Sequence, residues 1–300
     1  MISKTWDEKK IMRQMKLLRI EDKVRENSLK PLLSSPDVAN TLDFVFSPIK
    51  PSDRVGDSGP LLIGKHKINR SERYLVKHAC CDCACNEFVY TKIAQAMNYK
   101  MPDVVLLRVP PEEKRRCFGT EYIIGAKYLN IINDAPAFST IKERALNWRE
   151  YFSFRALYAL TGEGDSFETP LADDGFIYRV DTTDAFPTDE FILSQAGINI
   201  EVNGRNNKEF WESKLLNMDI NNHWQKDNLA WWLNQLAQTH GKECIAPFLE
   251  PLARIQDIST EYVDGFLHTL CYFYPDFIGV FFKKYISALQ KFAGEYLKAK

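Results

Sequence analysis

The hydrophobic rhythm of the chain changes once, near Gly125, and the change limits the folds open to it. Upstream lie short strand-like runs, Leu61 to Ile63, Tyr74 to Lys77, Val104 to Arg108 and Thr120 to Ile124. A helical pattern separates the second from the third: Asn86 to Met97, with Val89, Ile93 and Met97 in one stripe and Pro102 barring much extension. Downstream the apolar spacing is mainly helical. Leu229, Trp232, Leu233, Leu236 and His240 share a face that Gly241 is placed to end. Ile278, Phe281, Phe282, Tyr285, Leu289, Phe292 and Tyr296 form a broad apolar face on a helix from Asp276 to Leu297. One turn-rich stretch, Gly162 to Pro187, interrupts this region and holds the strand candidate Phe176 to Val180. The spacing predicts an α+β chain of two lobes, a small β-rich one over 41–125 and a mainly helical one over 126–300. An extension over 1–40 precedes them. In it, Thr5 and Glu8 have capping-box spacing, and Ile11, Met12, Met15, Leu18 and Val24 predict a helix over 5–27 that covers the small lobe or docks a partner.

With 300 residues, 45% of them apolar, the chain can bury a sizeable core. Its 39 basic and 40 acidic residues nearly cancel, so net charge supplies no drive toward nucleic acid or an anionic membrane, and neither is expected as a direct partner. Met1 to Asn27 is crowded with charge and lacks the apolar run of a secretory signal. Phe266 to Phe282 is broken by His268, Pro275 and Asp276, too interrupted to span a bilayer. A cytoplasmic location is expected. Four of the seven cysteines crowd into Cys80, Cys81, Cys83 and Cys85, unlike a distributed disulfide framework. No second Cys/His pair completes a zinc site, so buried or oxidation-prone thiols are expected there.

Several residues carry possible chemistry. Tyr74-Leu75-Val76-Lys77 reads as a strand ending in a cation, and Glu87 at the start of the next helix could reach back to it; on these residues alone the simpler reading is a solvated Lys and a Glu complementing a helix N-terminus. Phe118 to Gly125 is a strand candidate at the lobe boundary, either an interlobe hinge or an ordinary core strand. Tyr158 to Asp165 is a helix end breaking into a Gly-flanked turn, and Asp173 to Asp181 follows. Asp165 and Asp181 thus bracket a turn and a short strand, an arrangement that can bring both carboxylates to one cleft. Asp173, Asp174 and Gly175 predict a solvated hairpin turn, and Asp184 reads as a turn residue. Phosphoryl transfer needs just such parts: a Lys on triphosphate oxygens, a helix Glu to orient it, an Asp near the accepting hydroxyl, and metal-binding oxygens.

In this order, the segments YLVK (Tyr74 to Lys77), ACNEFVYTKIAQAMNYKMPDVVLL (Ala84 to Leu107), FGTEYIIGAKYL (Phe118 to Leu129), LYALTGEGDS (Leu157 to Ser166) and GFIYRVDTTDAF (Gly175 to Phe186) resemble the HipA-like serine/threonine kinases, relatives of the phosphatidylinositol kinases. The resemblance covers about Leu61 to Phe186. It implies a bilobal protein-kinase-like fold that uses ATP and Mg2+ to phosphorylate a Ser or Thr of a protein substrate. Lys77 would be the phosphate-holding Lys, Glu87 its partner, Glu121, Tyr122 and Ile123 the adenine hinge, Asp165 the catalytic Asp and Asp181 a magnesium ligand. Extended to biology, it implies a toxin-type kinase with an antitoxin-like protein partner. Two features depart from the pattern. Asp165 is followed by Ser166, Phe167, Glu168, Thr169 and Pro170, with no Asn for the metal, which leaves Glu168 as the replacement oxygen. The phosphate-covering loop is indistinct, with Gly56, Gly59 and Gly64 scattered around Ser58, which is either a phosphate-loop and self-phosphorylation site or a plain loop residue. A nucleotide-binding pseudokinase and a small-molecule or lipid kinase share the same scaffold.

Overall fold

A computed structural model of the chain describes residues 36–49, 61–77, 81–108, 122–164, 166–186, 201–202, 205–206, 224–274 and 276–299. The helix expected over 5–27 lies outside them. The apolar runs upstream of Gly125 form one six-stranded sheet from β1 (Val38–Asn40), β2 (Phe44–Pro48), β3 (Leu61–His66), β4 (Arg73–Lys77), β5 (Val104–Arg108) and β6 (Tyr122–Lys127). Its order is β1-β5-β6-β4-β3-β2, antiparallel throughout except for the parallel edge pair β1 and β5. The sheet therefore begins at Val38, before the expected lobe boundary at 41. Alternation along the strands sends Val104, Leu106, Ile124 and Ala126 to the main core, while Phe44, Tyr74, Val76, Val105 and Leu107 form a small cluster on the other face. The strand expected over Thr120 to Ile124 runs on to Lys127, since Gly125 and Ala126 keep their pairing with β4 and β5.

Helix α1 (Cys81–Ala96) crosses the inner face between β4 and β5, packing on β5 and β6. It begins earlier than Asn86, and Ala84 and Cys85, small side chains just before Asn86, are fully buried. It has no polar stripe: Phe88, Val89, Tyr90, Ile93 and Ala94 are buried alongside Asn86, Glu87 and Thr91. Asn98, at φ 62, turns the chain out of the helix.

Apart from a small hairpin of β7 (Ile131–Asn133) and β8 (Leu171–Ala172), the described residues downstream are mainly helical. The helices are α2 (Phe138–Arg144), α3 (Glu150–Thr161), α4 (Trp224–His240), α5 (Ile245–Arg254), α6 (Thr260–Phe273) and α7 (Asp276–Lys298). A two-residue ribbon, β9 (Glu201–Val202) and β10 (Arg205–Asn206), precedes α4. Buried Phe152, Phe154, Ala156, Leu157, Ala159 and Leu160 make α3 the centre of this lobe, packed on α4 and α5. The two-lobed α+β architecture expected from the change of rhythm is the one observed. No helix among the described residues is long and apolar enough to cross a membrane.

The α6 and α7 pair meets at Gly279, where a Cβ would collide with Cys271 Sγ. Ala in place of a helix Gly ordinarily stabilises by roughly 1 kcal/mol. Here Gly279→Ala is expected to cost about 1 to 2 kcal/mol by overpacking, and to become neutral or stabilising in a Cys271→Ala background. Urea unfolding of the four proteins of that double-mutant cycle measures the sign change.

Candidate functional site

The site grows from the end of α3. Gly162, at φ 73, takes the left-handed conformation that stops the helix, and the Glu163 N–H turns back to the Tyr158 carbonyl at 3.2 Å. Glu163 and Gly164 lead toward Asp165, which lies outside the described residues. The chain resumes at Ser166 and enters a hairpin: Val180 N–H donates to Glu168 O at 3.4 Å, Tyr178 N–H to Pro170 O at 3.1 Å, and Ala172 N–H to Phe176 O at 2.9 Å. Its tip is the expected turn, with Gly175 at φ 81 and Asp174 Oδ1 accepting the Phe176 N–H at 3.1 Å. The strand expected over Phe176 to Val180 is instead an arm with isolated bridges at Ile177 and Val180. The reason is Asn147, whose side chain takes both backbone groups of Ile177, donating to its carbonyl at 2.9 Å and accepting its N–H at 2.8 Å.

Beneath this hairpin lies a fully buried ion pair, Arg179 with Glu163. Arg179 Nη2 donates to Glu163 Oε1, and Nη1 donates to the carbonyls of Glu168, at 3.1 Å, and of Val180. The Phe167 ring covers the guanidinium at 4.9 Å. Burial pulls the Arg179 pKa down, but Glu163, Tyr90 and Asp181 outweigh it and hold the group above its ordinary range. Burial pushes Glu163 up to about 7, against the pull of Arg179 and with help from the nearby charges of Asp181 and Asp184. A guanidinium keeps its proton, so any proton exchange in the pair belongs to Glu163.

Asp181 follows at φ 56, half-buried, and opens a tight segment that ends on buried Phe186 at φ 65. Two contacts fix that segment. Asn86 Nδ2 of α1 donates to the Thr183 carbonyl at 2.8 Å, and the Phe186 N–H donates to Thr161 O of α3 at 3.0 Å. The Phe186 ring stands edge-on to Phe282 and Tyr285 of α7, with centroids 5.3 and 5.4 Å away.

Set against these elements, the expected residues fall as follows. Lys77 closes β4 with its backbone opposite Leu61 and Ile124. Glu87 is buried, at 3% exposure, and sits in the second turn of α1 rather than at its start, since the helix begins at Cys81. It neighbours Asn86, so the helix position next to Glu87 touches the segment that Asp181 opens. Glu168 lies backbone to backbone with Val180, and its Oε1 accepts from the Ser166 hydroxyl at 3.3 Å. Tyr122 and Ile123 begin β6, opposite Arg108 and Leu107. The two described residues of the expected hinge, Tyr122 and Ile123, thus lie within a strand that continues to Lys127, and the backbone of 128–130 makes the crossing to the helical lobe. Glu121 and Ser58 lie outside the described residues. Cys85 is buried in α1, and among the described residues no group of three or more His, Cys, Asp or Glu side chains is placed to hold a metal. A cavity of about 370 Å³ lined by Trp148, Arg149, Glu150, Glu250 and Arg254 contains none of the candidates.

Arg179, Glu163, Asn86 and Asn147 were given no role from sequence. Arg179 carried a usable signal, a charge between Tyr178 and Val180 in an otherwise buried arm, which demands a partner. No protein-family model matches the chain, and no curated protein matches it. Among solved structures, the crystal structure of a Helicobacter pylori proinflammatory kinase, CtkA, aligns over 86% of this chain and 98% of its own, with 12% identity and a TM-score of 0.41. That is a distant likeness.

A carboxyl whose pKa is raised on folding stabilises the native state while protonated. The Glu163 contribution is therefore complete below about 4.5 and lost as pH rises through about 7. Denaturant unfolding between pH 5 and 8 is expected to show this decline in the wild-type protein, and Glu163→Gln is expected to remove that component.

Proposed function

We propose that the chain is an ATP- and magnesium-dependent phosphotransferase of the HipA-like type, acting on a Ser or Thr hydroxyl of a protein. The observation that carries this is a connection order. The antiparallel run β2, β3, β4 ends on Lys77, and the next element is a helix bearing a buried Glu87, the order in which a kinase lobe presents its phosphate-holding Lys and the Glu that orients it. The same helix reaches the segment opened by Asp181 through Asn86, so Glu87 and Asp181 belong to elements in contact.

In this scheme Lys77 holds the triphosphate and Glu87 orients it, while the adenine edge meets the backbone of the crossing at 128–130. Asp165 takes up the proton of the accepting hydroxyl. Asp181 and Glu168 suit magnesium, an oxygen-seeking cation usually bound through one or two carboxylates together with substrate phosphates, so a larger acidic cluster is not required. Bound there, it would screen the charge of the transferring phosphate. The toxin-type biology with an antitoxin-like partner rests on the family resemblance alone.

A second reading, nucleotide binding without transfer, is favoured by one observation. The stretch after Asp165 holds no Asn, and Glu168, its replacement, already accepts the Ser166 hydroxyl.

Label transfer from γ-labelled ATP with magnesium, scored on the protein itself and on a cell lysate, tests the proposal. Lys77→Met, Asp165→Ala and Asp181→Ala are each expected to lower transfer by on the order of 10²-fold or more. Nucleotide binding with no transfer by the wild-type protein would select the pseudokinase.

A further inference from the structure

We propose that Arg179 is a positioning residue that holds the loop carrying Asp165 and the segment carrying Asp181 as one unit; its consequence for catalysis rests on the phosphotransferase reading. The geometry is that of a clasp. One buried guanidinium reaches Glu163 before Asp165, the Glu168 carbonyl after it, and the Val180 carbonyl just before Asp181. Both ends of the acceptor loop and the start of the metal segment therefore close on a single planar group. The Phe167 ring caps it, and the Arg179 N–H donates to the Lys100 carbonyl at 3.4 Å, beyond the end of α1.

A Lys cannot substitute. Its point charge lacks the fork that serves a carboxylate and two carbonyls together, and leaving Glu163 with a poorer partner strands a buried charge. Packing alone does not call for such an arrangement, because an apolar residue would fill the same space without burying charge. What the Arg adds is a fixed relation between two carboxylates that must share one substrate, where a displacement of about 1 Å costs on the order of 10²-fold in rate.

The test uses the full chain. In Arg179→Lys, amide hydrogen exchange over 162–170 and 180–186 is expected to speed up on the order of tenfold while α3 and β4 to β6 keep wild-type rates. In label-transfer kinetics the same variant is expected to lose on the order of 10²-fold in kcat with KM for ATP held within about threefold. Glu163→Gln, which weakens one arm of the clasp, gives a milder effect in the same two segments and serves where Arg179→Lys does not fold. Unchanged exchange in both segments, or faster exchange spread evenly over α3 and the sheet, overturns the clasp. A loss in KM rather than kcat also overturns it. Should the wild-type protein transfer no phosphate, the phosphotransferase reading fails, and the exchange pattern alone still decides whether Arg179 joins the two segments.

Discussion

A helix buried along most of its described side chains joins the two lobes. From Ala84 to Ala94 nearly every side chain of α1 is buried, and these residues belong to the same continuous core as α3 to α7. Phe88 meets Phe266 of α6 and Tyr90 meets Phe186, so the helix that braces the sheet is also a wall of the helical lobe. Its surroundings tie it down further. Lys92 pairs with Asp37 before β1, and the Tyr262 hydroxyl of α6 donates to the Lys92 carbonyl at 3.2 Å. At its end, Arg254 of α5 donates to the Met97 carbonyl and stacks on Tyr99. Moving one lobe against the other would expose part of this shared core, at roughly 25 cal/mol for each Å² of apolar surface. Glu87 and the segment after Asp181 are thereby held in a common frame.

What could be read from sequence follows from how much of each signal was local. The strands at Val104 and Tyr74 and the long helix α7 declared themselves, because β-branched runs and a recurring aromatic stripe need no knowledge of partners. The start of α1 did not. Its Cys and Ala residues have no periodicity of their own, and what makes them helical is the sheet they lie against. The exit from the sheet was hidden for a related reason. Tyr122 and Ile123 begin β6 and 128–130 follow it, and only the pairing of Gly125 and Ala126 with β4 shows where the chain leaves the sheet. The hairpin turn at Asp173 to Gly175 was legible from its residues, whereas the loss of a regular ladder behind it depended on Asn147, distant in sequence. Arg179 shows the same limit at the site itself, since a lone charge in a buried arm announces a partner without naming it.

The segment from Asp181 to Phe186 shows how backbone strain is held in place. Asp tolerates the left-handed region, but a Phe at φ 65 is disfavoured by roughly 1 to 2 kcal/mol. Burying its ring is worth about 2 to 3 kcal/mol, and its N–H is satisfied by Thr161. The packing of Phe186 against Tyr90, Phe282 and Tyr285 therefore outweighs the strain. The far end of the segment is set by the core that α1 shares with α7, and Asn86 fixes its middle. The placement of Asp181 is thus a property of the whole seam between the lobes.

The interior leaves hydrogen-bonding capacity unused in several places, and the seam is one of them. Glu163 Oε2, Arg179 Nε, Thr91 Oγ1 and Thr182 Oγ1 are buried without a hydrogen-bond partner among the described residues. Each such atom costs on the order of 1 to 3 kcal/mol, and well-packed apolar replacements for a buried ion pair are often neutral or stabilising. Burial alone would favour apolar residues at both Glu163 and Arg179. A chain that keeps charge and unpaired polar atoms together in one place, beside two strained residues and within two positions of the carboxylates Asp165 and Asp181, gives up stability there. In the helical lobe Arg155 Nε of α3 and Gln225 Oε1 of α4 are likewise buried without a hydrogen-bond partner among the described residues, so unpaired polar atoms alone do not mark the seam. What sets the seam apart is the combination of a fully buried ion pair with two positive-φ residues, Asp181 and Phe186, where α1, the end of α3 and the hairpin meet.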